Sequence, residues 1–431
     1  MQLSKRIYMI IALVIFVLMY VGMLALPRFR VFFSLGAALF MIVFGVLSPG
    51  RILSAINWNV IMMIAGTMGI VSLFIESRMP SRLADIVLDK TGDACQAIVA
   101  LALFAGVISA FVDNVATVLM IAPVGIAICK KMDINPVPVI ISIAVSANLQ
   151  GAATLVGDTT SILMGGYAGM SFIDFFWWKG RPSIFWAVEL GALGTVFILR
   201  LLFRKYKRPI DRTEATEVTD HVPGVFLLLL ILCLIAASFF TIPYIDGIKN
   251  GLICIILCVI DVVRSCLKER GTRPLRHVIK EFDLGTIGML CGLFIVIAAI
   301  ENAGIIDSIA DAFTSLGQDR IFLLYTAVVL VSVVLSAFID NIPYVAAMLP
   351  VVEGIALRTG TDPTVLYFGL LSGATLGGNI TPFGASANVA GIGVLQKEGY
   401  NVNNRDFFKI GIPFTLTAVI IGYAVIWMIW G

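Results

Sequence analysis

Charge is scarce in this sequence: 13% of its 431 residues are Asp, Glu, Lys or Arg, against about 25% in a typical soluble domain. Histidine is nearly absent, and His221 and His277 both fall in charged stretches between apolar runs. No histidine-based catalytic constellation can be assembled from them. The seven cysteines (95, 129, 233, 254, 258, 266 and 291) form no C-x-x-C pair and are odd in number. Most lie inside apolar runs and read as small buried hydrophobes. Cys254 and Cys258 can share a helix face, but with no His nearby they suggest no metal site. The net charge of +3 is too small and too dispersed to argue for nucleic acid. What fills the chain is apolar: 59% of residues are hydrophobic and mean hydropathy is +1.00. No soluble fold of this size could hide that surface, so the expectation is an all-α polytopic membrane protein whose surroundings are a lipid bilayer.

Spans need about 20 apolar residues. In the first half they are expected at 6–26, 31–48, 57–75, 137–168 and 183–203. The run after Met1–Arg6 is too long for a signal-peptide core and lacks a small-residue cleavage site, so it reads as the first span. No soluble domain is expected before or after the membrane part. Residues 76–93 mix Leu83, Ile86 and Val87 with Arg82, Asp85 and Asp89, as an interfacial amphipathic helix does. The second half repeats the order: spans near 224–242, 248–263 and 284–302, an amphipathic piece at 305–314, then 320–357, 363–395 and 410–430. The expected division is a first repeat over 1–203, a hydrophilic linker over 204–223 and a second repeat over 224–431.

Two tetrads mark the repeat, Phe111-Val112-Asp113-Asn114 and Phe338-Ile339-Asp340-Asn341. A constant offset of 227 carries Asp113 to Asp340 and Asn114 to Asn341. It also carries Pro123 to Pro350, Pro136 to Pro363, Ala147 to Ala374, Gly151 to Gly378, Thr154 to Thr381 and Gly157 to Gly384. Slightly different offsets pair Glu76 with Glu301 and Asp85 with Asp311. Residues 95–129 are too many for one straight span, and a re-entrant hairpin with Asp113-Asn114 at its tip explains both length and polarity. One long tilted helix is the alternative. Segment 137–168 breaks at Asn148 to Ser161, and its partner at Gly377 to Asn388, as discontinuous helices do. Five crossings per half is an odd number, so the second repeat is expected to be inverted. Most of the thirty Lys and Arg then fall on one face, including Arg204, Lys205, Lys207, Arg208, Arg264, Lys268 and Arg273. That bias puts the linker in the cytoplasm and both termini outside, in the cell (inner) membrane.

An ionised group inside a bilayer is costly and marks function by default. Asp113 and Asp340 start the second hairpin arms, where N-capping alone is the bland alternative. Asp158 is a third acid, and its counterpart is Ala385. The candidate substrate and ion ligands are Asp113, Asn114, Asn148, Thr154, Gly157, Asp158 and Thr159 from the first repeat. Asp340, Asn341, Gly378, Asn379, Thr381, Gly384, Ser386 and Asn388 complete the set from the second. Glu76, Glu189 and Glu301 lie at or near span ends and read as interfacial structural groups.

On the tetrads and the Gly-rich segments 151–161 and 377–388, the chain resembles the ion transporter superfamily, in the branch of ArsB/NhaD permeases and the melanosomal P protein. The resemblance spans roughly 57–430. It implies opposed hairpins, broken helices, a homodimer, elevator-type motion, and Na⁺ or H⁺ as coupling ion with no other cofactor. Two departures stand out. Gly157-Asp158-Thr159-Thr160-Ser161 replaces the branch's common Gly-Asp-Pro-Pro-Asn, and neither tip reads Ser-Asn-Thr as in the dicarboxylate symporters. Three midplane acids and no midplane Arg or Lys favour cation/proton antiport. A permease for a small anion, metalloid oxyanion or dicarboxylate is the alternative, and an anion channel the second. An intramembrane enzyme lacks a nucleophile–base pair.

Overall fold

A computed structural model describes residues 2–206, 216–241, 243–315 and 320–431; Lys207 and Arg208 of the expected linker lie outside the described residues. The first half holds α1 (Gln2–Ala25), α2 (Arg30–Val43), the single turn α3 (Ile52–Ala55), α4 (Trp58–Glu76) and α5 (Met79–Leu88). It continues with α6 (Ala94–Ser109), α7 (Asn114–Lys131), α8 (Pro136–Gly151), α9 (Thr159–Ala168) and α10 (Ile184–Phe203). The second half holds α11 (Val222–Ala237), α12 (Lys249–Glu269), α13 (Arg273–Glu281), α14 (Leu284–Asn302) and α15 (Ile305–Thr314). It ends with α16 (Ile321–Ser336), α17 (Asn341–Thr359), α18 (Thr364–Gly377), α19 (Ser386–Lys397) and α20 (Asn404–Trp430). Eight described helices are long and apolar enough to cross a membrane.

Helix entry is built from Asn and Asp. Asn57, Asp93, Asp113, Asn135, Asp283 and Asp340 each cap a helix with a side-chain oxygen that accepts a backbone N–H one turn in. In an apolar medium an unsatisfied N–H costs several kcal/mol, which explains the repeated choice.

The all-α reading holds, with one short addition and two refinements. In a single small hairpin β1 (Trp177–Trp178) pairs antiparallel with β2 (Arg181–Pro182). Lys179 and Gly180 between them both have positive φ, the backbone of a tight two-residue hairpin turn. The span expected at 248–263 runs on to Glu269, so Arg264 and Lys268 sit on a helix and not in a loop. Beyond it α13 is an extra amphipathic helix, too short and too charged for its period to stand out in the sequence.

The halves pack crosswise. Helix α4 lies along α12, and α14 lies along α2. Small residues permit both approaches: a Cβ on Gly66 would come within 2.4 Å of the Cys254 backbone, and one on Gly292 within 2.4 Å of Ser34 Oγ. Within each half the hairpin packs on the broken helix, α6 on α8 and α16 on α18. Between halves α9 meets α17, α19 meets α7 and α8, and α10 lies along α20. Two ion pairs tie the ends: Lys130, closing α7, to Glu398 after α19, and Lys179, beyond α9, to Asp362 ahead of α18, each 2.6 Å.

Candidate functional site

Each hairpin tip is clamped to its own broken helix by the same set of contacts. The Thr154 hydroxyl donates to the Ala110 carbonyl, and the Thr381 hydroxyl to the Ala337 carbonyl. Gly157 and Gly384 leave no room for a side chain: a Cβ on either would lie 2.6 Å from a backbone oxygen, of Gly151 and Gly378 respectively. The cap residues Asp158 and Ala385 share one backbone conformation, φ/ψ of −143/151° and −137/142°. The tips match too, Asp113 at −45/138° and Asp340 at −51/134°. Asn388 Nδ2 donates to the Gly378 and Thr381 carbonyls at 3.0 and 3.2 Å, knitting the second break together.

A buried chain of amides joins the two breaks. Asn114 Nδ2 donates to Asn148 Oδ1 at 2.9 Å. Asn148 Nδ2 donates to the Thr375 carbonyl at 2.7 Å and to Asn379 Oδ1 at 3.0 Å. Asn379 Nδ2 in turn donates to the Val145 carbonyl at 2.9 Å. Asn148 and Asn379 are wholly buried, and satisfied amide networks of this kind fix one arrangement of the segments that carry them.

Beside this chain lies a cavity of about 340 Å³. Both halves wall it. Asp113, Asn114, Asp158 and Thr159 come from the first tip and break; Asn341 and Ser386 come from the second. Asp158 is 3% exposed; it accepts from the Thr160 hydroxyl at 2.7 Å and is approached by Asn341 Nδ2 at 3.5 Å. Asp113 spends one carboxylate oxygen on the N–H groups of Val115 and Ala116. Asp340 accepts from Ile342 N at 3.1 Å, from Ser386 Oγ at 2.9 Å and from Arg30 at 3.0 Å.

The sequence-predicted residues therefore divide. Asp113, Asn114, Asp158, Thr159, Asn341 and Ser386 face the cavity, with Asp340 adjoining. Asn148, Thr154, Gly157, Gly378, Asn379, Thr381, Gly384 and Asn388 are not on its wall and instead hold the loops in place. A basic residue that the sequence reading did not include among the site residues joins them. Arg30 lines the cavity and forms an ion pair with Asp340. It starts α2, and its long apolar stem lets the guanidinium reach the Asp340 carboxylate. Glu281, Asp283 and Thr286 also line the wall, all unforeseen. An Asp three residues ahead of a Thr, opening an apolar run, was the cap signal that marked Asp283.

The wall residues outside the hairpins and breaks come from one end of the scaffold: the start of α2, the second half of α4, the end of α13 and the start of α14. The opposite ends, around Arg51, Glu301 and Asn302, line a different cavity. A duplicated framework thus carries an unsymmetrical site.

Comparison with known proteins agrees with this architecture. The sequence pattern of the citrate transporter family matches residues 11–370 and again 251–431. An uncharacterised transporter of Mycobacterium tuberculosis is 28% identical over 432 residues, covering 97% of this chain and 98% of its own. The human P protein is 26% identical over 408 residues, with 75% of this chain matching 48% of that longer protein. Among solved structures, the YdaH transporter of Alcanivorax borkumensis superposes with a TM-score of 0.61 at 14% identity, covering 89% of this chain and 87% of that one. MtrF of Neisseria gonorrhoeae, from a class of antimetabolite efflux pumps, gives 0.55 at 14% identity over 87% and 83%. The chain is a multi-pass membrane transporter and belongs to the citrate transporter family of the ion transporter superfamily.

Proposed function

We propose that this transporter is secondary-active and exchanges a small cation for protons across the membrane. One observation carries the reading: the carboxyl groups of Asp113, Asp158, Glu281 and Asp283 line a single cavity, Asp340 adjoins it, and among the described residues Arg30 is the one basic group on the wall. Hard cations are held by carboxylate and amide oxygens, and Asp158 with Asn114, Asn341 and Thr159 supplies both kinds. Protonation of an acid in this group releases the cation, so Na⁺ and H⁺ compete for one set of oxygens.

The ion pairs at the helix ends support inverted repeats. The start of α8 and the end of α19 are neighbours through Lys130–Glu398; the end of α9 and the start of α18 are neighbours through Lys179–Asp362. The two broken helices accordingly run in opposite senses. With the positively charged face inside, the linker is cytoplasmic and both termini are outside in the inner membrane. The cavity walls then belong to the cytoplasmic ends of the scaffold, an inward-facing state. Alternating access follows when hairpins and breaks slide as a unit past α2, α4, α12 and α14, an elevator motion, in a homodimer.

A second reading rests on Arg30 and on four helices, α7, α9, α17 and α19, whose N-terminal ends meet at the site. Those features suit an anion such as citrate. Proteoliposomes carrying an internal pH dye separate the two. Na⁺ or Li⁺ gradients are expected to drive proton movement, and Asp113→Asn, Asp158→Asn and Asp340→Asn each to abolish it with expression intact. Uptake of citrate, a dicarboxylate or an oxyanion without any cation-driven proton flux would establish the anion reading instead. Flux persisting with no coupling gradient would establish a channel.

A further inference from the structure

A groove of about 720 Å³ runs between α12 and α13 and shares no wall residue with the transport cavity. Its walls are apolar, and their large side chains are uncovered: Val259 is 54% exposed, Val263 51%, Leu267 74%, Leu275 41% and Ile279 55%. The groove follows α12 from Ile255 to Leu267, about 18 Å at 1.5 Å per residue. That matches the roughly 15 Å depth of one leaflet's hydrocarbon.

One end of the groove is chemically different. Arg270 and Thr272 line it there. Arg270 occupies the left-handed position that closes α12, with φ of 50°, where glycine is the usual residue. On α13, Arg276 stands one turn before the groove residue Ile279 and flanks the wall, while Arg273 and Lys280 lie further round the helix from Leu275, Val278 and Ile279. Asp220 is already engaged by Arg264 and Lys268. Arg273 reaches only Glu76, at 3.7 Å. Among the described residues Arg270, Arg276 and Lys280 have no ion-pair partner. The described first half has no equivalent, since only a 3-10 turn (Pro49–Arg51) and the single turn α3 stand between α2 and α4.

We propose that this groove binds one anionic phospholipid, its acyl chain lying along Val259, Val263 and Leu267 and its phosphate held by Arg270, with Arg276 flanking. An apolar trough ending in unpaired positive charge has the chemistry of an anionic lipid at the membrane surface. A second copy of this chain fits poorly, because two-fold pairing would set like charge against like.

The test is native mass spectrometry of the full chain in detergent, titrated with phosphatidylglycerol or with phosphatidylcholine of the same acyl length. One tightly held phosphatidylglycerol per chain is expected, in preference to phosphatidylcholine. Arg270→Gln/Arg276→Gln lowers its retention at least about tenfold, taking about fivefold per charge near a membrane surface, and leaves phosphatidylcholine unchanged. Val263→Trp fills the trough and removes the bound lipid with every basic residue still present. Equal retention of the two lipids by the unaltered protein overturns the proposal whatever the variants do. So does a preference that survives either substitution in a monodisperse protein.

Discussion

Asp340 answers to three partners: it caps α17, accepts from Ser386 and holds Arg30. Its counterpart Asp113 caps α7 and, among the described residues, pairs with no arginine. The twin acids are therefore not equivalent, and the difference is measurable. Arg30→Gln and Asp340→Asn each remove one side of a partly buried charge-assisted bond, at a cost of about 1–3 kcal/mol. The double variant is expected to lose less than the sum, because each single variant leaves one charge unpaired and the double leaves none. Melting in detergent across the four proteins decides it, and strict additivity would mean the pair does not interact.

A second residue sets an acid limit outside the membrane. Partial burial pushes the Asp220 carboxyl up, but hydrogen bonds from Lys268, the Val222 amide and Arg264 outweigh it and hold the group below the ordinary carboxylate range. Its folded pKa lies beneath the unfolded value of about 3.9, so the stabilisation is complete above that pH and is lost as pH falls through the folded value. The melting temperature should drop more steeply below about pH 4 in the unaltered protein than in Asp220→Asn. Identical acid profiles would remove Asp220 from the account.

At the scale of the element, the breaks in α8–α9 and α18–α19 are held open by specific backbone contacts. Gly157→Ala and Gly384→Ala each force a methyl to within 2.6 Å of backbone oxygen, which cannot swing aside as a side chain can. Each should cost about 1–3 kcal/mol, seen as a lower melting temperature. Wild-type stability in either would mean the break relaxes freely. Thr154→Val and Thr381→Val release the hairpin tips more gently, at about 1 kcal/mol apiece.

For the whole molecule, the crosswise pairing of α4 with α12 and of α14 with α2 makes the halves one scaffold. The proposed inversion has a direct test in a background without the seven native cysteines. Cysteine at Lys130 or Glu398 should react with an impermeant thiol reagent from one side of the membrane, and cysteine at Lys179 or Asp362 only from the other. Labelling of all four from the same side would rule inversion out.

The sequence by itself determined the membrane class, the duplication and the polar tips. Those features rest on local needs: apolar runs long enough for lipid, Asp and Asn to cap helices where water is absent, and glycine where backbones touch. The 227 offset was legible because Thr154/Thr381 and Gly157/Gly384 perform identical local tasks. Only the tertiary structure decided that Arg30, Glu281 and Asp283 join the acids of the hairpins. They come from scaffold helix ends more than fifty residues from either tip, and a side chain at the end of a span reads as a loop charge until packing turns it inward. The same holds for α13, whose one apolar face acquires meaning only when α12 lies beside it.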